Sequence, residues 1–263
     1  NIFAKPLNRS QDQGMMRPQL KWIFIAVLFF GLNAGARPIA LIYKGDGSCP
    51  EGCSEASAEV AIKAGFKPRF VGPSDLDSNS SEADVARLFQ DARVWIQPGG
   101  VAVTAFYTMT PELRESIRSF VASGGGYVGF CAGAFMATQR IGSSRYAGLG
   151  ILPGFTAPYY LSPVRPGLDY SLPVLSWGSL RRQVFFEGGP YFYGFRDQAE
   201  SVASYDSGYS AAVRALFGRG RVFVSGPHPE APLIWTEEDG VRDPDGVDQD
   251  LAVQMVRWAS GLR

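Results

Sequence analysis

The sequence predicts an α/β fold, a mostly parallel sheet joined by crossover helices. Three observations predict it. Short apolar runs alternate with helical patterns over the first half of the folded region. A stretch rich in Gly, Pro and Tyr then interrupts that alternation at residues 143–194. Strand-like runs resume after it, and a final amphipathic segment closes the chain. There is no internal repeat or long low-complexity linker, so one domain accounts for this pattern.

The elements follow in order. Residues 39–43, IALIY, read as a buried strand, and the loop KGDGSCPEGC follows. Ser54 is placed to cap a helix reaching about residue 65. Residues 68–71 form a second strand. Val85, Leu88 and Phe89 give residues 81–91 a helical apolar face. Residues 94–96 are a third strand, ending at Gln97-Pro98-Gly99-Gly100. Thr110-Pro111-Glu112 combines a cap, a first-turn proline and an acid, so a helix starts there and runs to about residue 122. It stops at Gly124-Gly125-Gly126, and residues 127–130 make a fourth strand that ends on Cys131. The middle region, with runs such as Gln183 to Phe186, reads as hairpins and loops added at the sheet edge. Residues 201–205, 212–217 and 222–224 resume the strands, and residues 248–260 form the last helix.

Ahead of this region, Met15-Met16, Arg17 and Lys21 precede the apolar run WIFIAVLFFGL, residues 22–32, and Ala34-Gly35-Ala36. Basic, apolar and small-residue parts in that order read as a secretory signal peptide over residues 15–36. The run is shorter than the roughly 20 residues a spanning helix needs. Arg37, not a cysteine, stands directly after Ala36, which argues against a bacterial lipoprotein anchor. Residues 1–14 read as upstream sequence, untranslated or added. The expected mature domain is therefore residues 37–263, exported to a periplasm or secreted, with no membrane attachment after cleavage. The whole chain has 25 basic and 25 acidic residues. The segment ahead of Arg37 holds Lys5, Arg9, Arg17 and Lys21 against Asp12, which leaves 21 basic and 24 acidic residues, a net of −3. That balance carries no nucleic-acid footprint. No metal cluster or nucleotide fingerprint is present, so neither a metal nor a cofactor is expected.

Cys131 is one of three cysteines and stands where a strand turns directly into a helix, between Gly129 and Gly133. G-x-C-x-G has the form of a nucleophile elbow with Cys in place of Ser. The turn lifts the side chain above the sheet edge. The helix N-terminus supplies N–H groups that favour a thiolate and an oxyanion. A cysteine in an apolar run is otherwise inert packing. The sequence holds one histidine, so a Cys/His pair has one candidate. His228 follows a strand, and Glu230 two residues on is placed to orient the ring. Gly99 and Gly100 end the third strand, where backbone N–H groups can face a substrate or simply form a turn.

Gln97-Pro-Gly-Gly100, GYVGFCAG at 126–133, VFFEGGPYF at 184–192 and GPHPE at 226–230 together resemble the class I glutamine amidotransferase-like superfamily. Within it, the chain is most similar to the biotin–protein ligase N-terminal domain family. The resemblance implies a flavodoxin-like, doubly wound sheet with helices on both faces, and a hairpin-rich insertion after the nucleophile helix. It implies Cys131 as nucleophile, His228 as base, Glu230 as orienting acid, and an oxyanion hole from the N–H groups of Ala132 and Gly100. The glycine/arginine turn at residues 218–221 looks like a biotin-binding loop, but lies between two strands and reads as a turn with exposed arginines.

Cys49 and Cys53 have C-x3-C spacing, unlike redox or zinc motifs. An exported chain favours a local disulfide between them. The alternative is that one of them caps or resolves Cys131 on oxidation. Gly99, Gly188, Gly189 and Tyr191 are pocket candidates, although the glycines and aromatics of that run fit an aromatic hairpin equally well.

Four functions fit these residues. The leading one is an exported cysteine hydrolase that cleaves an amide bond in a small molecule or peptide. The others are a non-catalytic binding or regulatory module, a glutaminase subunit, and thiol redox chemistry at Cys131. Oligomeric state has no signature here.

Overall fold

The computed structural model describes residues 37–50 and 52–262. The signal-peptide reading therefore falls outside the described residues. The described chain is a mixed α/β structure around one large sheet.

In order, the first half contains β1 (Ile39–Tyr43), α1 (Cys53–Lys63), β2 (Lys67–Val71), α2 (Glu82–Phe89), β3 (Ala92–Gln97), α3 (Ala102–Thr108), α4 (Pro111–Ala122), β4 (Gly126–Phe130) and α5 (Ala132–Ala137). The middle contributes β5 (Phe155–Pro158), β6 (Val174–Trp177), β7 (Leu180–Gln183) and β8 (Pro190–Tyr193). Then come β9 (Ala199–Tyr205), β10 (Ser210–Phe217), β11 (Gly220–Ser225), α6 (Ile234–Glu237) and α7 (Gln249–Ser260).

The sheet runs β2-β1-β3-β4-β11-β10-β9-β6-β7, with β8 joining β10 and β5 pairing β8. From β2 to β11 every pairing is parallel. Beyond β11 the pairings are antiparallel. The parallel half needs crossovers, and helices supply them. The order reverses between β1 and β3, so the crevice at the C-terminal strand edge opens there, where open α/β sheets bind ligands.

Side chains alternate across the sheet, as the two-residue period of a strand demands. Leu41, Tyr43, Trp95, Tyr127, Val222 and Val224 face one core, covered by Ala105 and Phe106 of α3, Leu113 and Ile117 of α4, and Met136 of α5. Ala40, Ile42, Val94, Ile96, Val128 and Phe223 face the other, covered by Val60 of α1 and Leu251 and Met255 of α7. Each fully buried large side chain contributes about 1.5–3 kcal/mol. By contrast, α2 buries no residue completely. A capping box holds its start: Ser81 Oγ accepts from Asp84 N, and Ser81 N donates to Asp84 Oδ2 at 2.9 Å.

One expectation needs correction, and one element was not foreseen. The first helix is capped by Gly52, in a left-handed conformation, and begins at Cys53. Ser54 lies inside it, with its hydroxyl donating to Tyr43 O at 2.9 Å. Position 52 takes a positive φ of 96° that suits glycine, so the helix starts earlier than a Ser cap would place it. The stretch after Gly100 is also helical over α3, although Val, Thr, Phe and Tyr are modest helix formers. Packing of Ala105 and Phe106 into the core sustains it.

Candidate active site at the strand ends

Cys131 occupies the junction of β4 and α5 with φ 45° and ψ −98°. A non-glycine residue at positive φ costs on the order of 1–3 kcal/mol and persists only where its surroundings enforce it. Here the enforcement is visible. Cys131 N donates to Ser225 O at 2.9 Å, and Cys131 O receives both Ala134 N and Phe135 N. A Cβ on Gly129 would stand 2.5 Å from the Gly133 carbonyl, and one on Gly133 would stand 2.3 Å from Gln97 O. The flanking glycines let β3, β4 and α5 close around the turn. Ala132 is the first residue of α5, so its N–H has no intrahelical acceptor.

His228 follows β11 and is 3% exposed, and Glu230 is fully buried. Glu230 Oε1 lies 2.9 Å from His228 Nδ1. Gln249 of α7 donates to the Glu230 backbone oxygen at 3.2 Å, which ties the turn to the last helix. His228 Nε2 is buried and has no hydrogen-bond partner among the described residues. Burial of the ring works against its charged form. Glu230 and Cys131 beside it outweigh that, so the His228 pKa is raised well above its ordinary value. Phe185 and Trp235 pack edge-on against the imidazole, with centroids 5.9 and 5.8 Å away.

A cavity of about 700 Å³ is bounded by Cys131, His228, Gly100, Glu187, Gly188 and the cysteines 49 and 53, among others. Cys131 Sγ donates to Glu187 O at 3.4 Å. Gly100 has φ 128°, and a Cβ there would lie 2.1 Å from Gly47 O. Its neighbours bridge to the first loop, with Cys49 N donating to Gly99 O and Val101 N to Gly47 O. Gly99 sits beneath the imidazole: a Cβ on it would be 2.5 Å from His228 Cε1 and 3.2 Å from Cys53 Sγ. Cys49 and Cys53 form a disulfide, and Cys131 is the free cysteine.

The other pocket candidates separate. Gly188 lines the cavity. Gly189 is buried against the backbone of Gly226, where a Cβ would lie 2.0 Å from its oxygen. Tyr191 packs in an aromatic group with Tyr159, Tyr193 and Tyr209, away from the cavity wall. Glu187, whose carbonyl meets Cys131, adjoins the glycine pair in sequence. Trp235 carries no motif and was not legible as a site residue.

Comparison with solved structures bears on the fold. A glutamine amidotransferase crystal structure is 18% identical, with a TM-score of 0.58 over 85% of this chain and 99% of that one. A cytoplasmic protein from Salmonella typhimurium is 14% identical, with a TM-score of 0.53 over 84% of this chain and 98% of that one. At this identity the likeness shows a shared fold, and the chain has a class I glutamine amidotransferase-like fold. More narrowly, residues 40–146 match the family model described as biotin-protein ligase, N terminal. Residues 40–146 are thus similar to that N-terminal domain. The match includes Gly100 and Cys131 and ends before His228 and Glu230. No curated protein matches the chain by sequence.

Proposed function

We propose that the chain is a cysteine hydrolase of amide bonds, with Cys131 as nucleophile, His228 as general base and acid, and Glu230 as the group that orients His228. One observation carries this reading. The buried imidazole is held through Nδ1 by Glu230, while its open Nε2 shares a cavity with the thiol at the strained elbow. The raised proton affinity of His228 suits it to take the thiol proton.

In the reaction, the Cys131 S–H proton passes to Nε2 and sulfur forms a bond to the amide carbon. The carbonyl oxygen becomes an oxyanion, facing N–H groups of Ala132 and Gly100. Collapse breaks the C–N bond, with the proton on His228 going to the leaving amine. Water, deprotonated by the same imidazole, then attacks the thioester. This releases the acid and restores the thiol. Export of the domain beginning at Arg37 belongs to this proposal, and N-terminal sequencing of the mature protein tests it.

The test of the chemistry is the rate of Cys131 alkylation by iodoacetamide against pH, with the label located by peptide mass. Fast labelling at neutral pH is expected, falling roughly 10²-fold in His228→Ala, in line with general-base assistance. Equal slow rates in both proteins would end the hydrolase reading. The match to the biotin–protein ligase N-terminal family favours a second reading in that case, a binding or regulatory module that keeps the elbow as geometry.

A further inference from the structure

A second cavity, of about 960 Å³, adjoins the first: Ser48, Cys49, Pro50 and Glu187 line both. The disulfide loop and Glu187 thus form a ridge that a bound molecule can cross from one cavity into the other. The walls of the second cavity combine two chemistries. Tyr170, Phe185 and Trp235 give an aromatic wall, with Tyr170 and Phe185 stacked at 4.8 Å and Trp235 tilted by 59° against Phe185 at 5.3 Å. Asp169, Glu238 and Asp239 give an acidic wall. The lysine that lines the cavity, Lys44, is already paired with Glu55 at 2.5 Å. Arg165 stands near, with its guanidinium donating to the backbone oxygen of Asp239.

Tyr170 adds an observation of a different kind. It is 5% exposed, lines this cavity, and its hydroxyl is buried with no hydrogen-bond partner among the described residues. An unpartnered buried hydroxyl costs free energy unless a ligand or water satisfies it. A hydrogen-bond donor that is also a cation satisfies the hydroxyl, neutralises the carboxylates and lies well on aromatic faces. An anionic group meets carboxylates on the same wall and is disfavoured.

We infer that this second cavity is a specificity subsite for a guanidinium or ammonium side chain, and that the amide substrates of Cys131 are peptide-like molecules bearing such a cation. The inference rests on the hydrolase reading above for its link to Cys131. The subsite itself is a binding property and can be tested without turnover.

The labelling test uses two peptidyl chloromethyl ketones that differ only in an arginine or a citrulline side chain. Their rates of Cys131 alkylation are normalised in each protein to the rate with iodoacetamide. The arginine probe is expected to label roughly 3- to 30-fold faster, the range a partly desolvated cation on an aromatic face supports. That ratio is expected to fall to about one in Asp169→Asn/Asp239→Asn. Equal rates for the two probes, or a preference that survives the double variant, overturn the subsite. Calorimetry with N-acetyl-arginine amide and its citrulline counterpart gives an independent arm. Saturable binding of the arginine compound that the double variant weakens supports the subsite even if Cys131 is inert to iodoacetamide, which would sink the hydrolase reading alone. No difference between the two compounds overturns it.

Discussion

The elbow shows how few atoms decide the geometry at Cys131. Its positive φ is enforced because Gly129 and Gly133 leave no Cβ between β3, β4 and α5. A Cβ at position 133 has backbone as its nearest neighbour, which cannot move aside as a flexible side chain can. Gly133→Ala is therefore expected to lower stability by about 1–3 kcal/mol, as overpacking does. Urea unfolding measures this, and an unchanged midpoint would show that the strand–helix contact is looser than described. The candidate residues themselves were legible in the sequence. G-x-C-x-G is local, and a lone histidine two residues from an acid has few readings. The open Nε2 was not legible, because it depends on which nitrogen the folded turn of residues 226–230 offers to Glu230. Trp235 was hidden for a related reason, since its contact with the imidazole is made in space and leaves no spacing pattern.

At the scale of elements, α7 locks the site from behind. Its first residue, Gln249, reaches the Glu230 backbone, and Asp248 before it pairs with Arg182 of β7 at 2.9 Å. Burial raises the Asp248 carboxyl to about 7, and Arg182 offsets only part of that. The folded state therefore holds this proton more tightly than the unfolded chain, whose carboxyl titrates near 3.8. The contribution to stability is complete below about pH 3.8 and is lost as pH rises through about 7. Stability in urea is expected to decline between about pH 4 and about pH 7. Asp248→Asn, which has no proton to lose there, flattens the decline, and parallel profiles for the two proteins would place its source elsewhere. His228, also raised, acts in the same direction. Periodicity and caps made α2, α4 and α7 readable in advance. The short α3 was not, because tertiary burial of Ala105 and Phe106 outweighs its weak local preference.

For the whole molecule, the crevice between β1 and β3 gathers pieces far apart in the chain. The disulfide loop after β1, the glycine pair after β3, the elbow after β4 and the histidine after β11 all meet at one sheet edge. The disulfide closes a loop of five residues, so chain entropy assigns it about 2 kcal/mol. Cys49→Ser/Cys53→Ser is expected to lower stability by about that amount in urea unfolding. A much larger loss would mean that the loop anchors more of the fold than its length suggests. The sequence by itself determined the α/β class, the order of most strands and helices, the elbow at Cys131 and the pairing of His228 with Glu230. Each of these rests on local spacing, which survives without a fold. Only the tertiary structure decided that two cavities share the disulfide ridge, that Tyr170 is buried with an open hydroxyl, and that Gly99 lies under the imidazole. Those facts come from long-range strand order and close packing, which bring together residues whose separation in sequence says nothing of their distance in space.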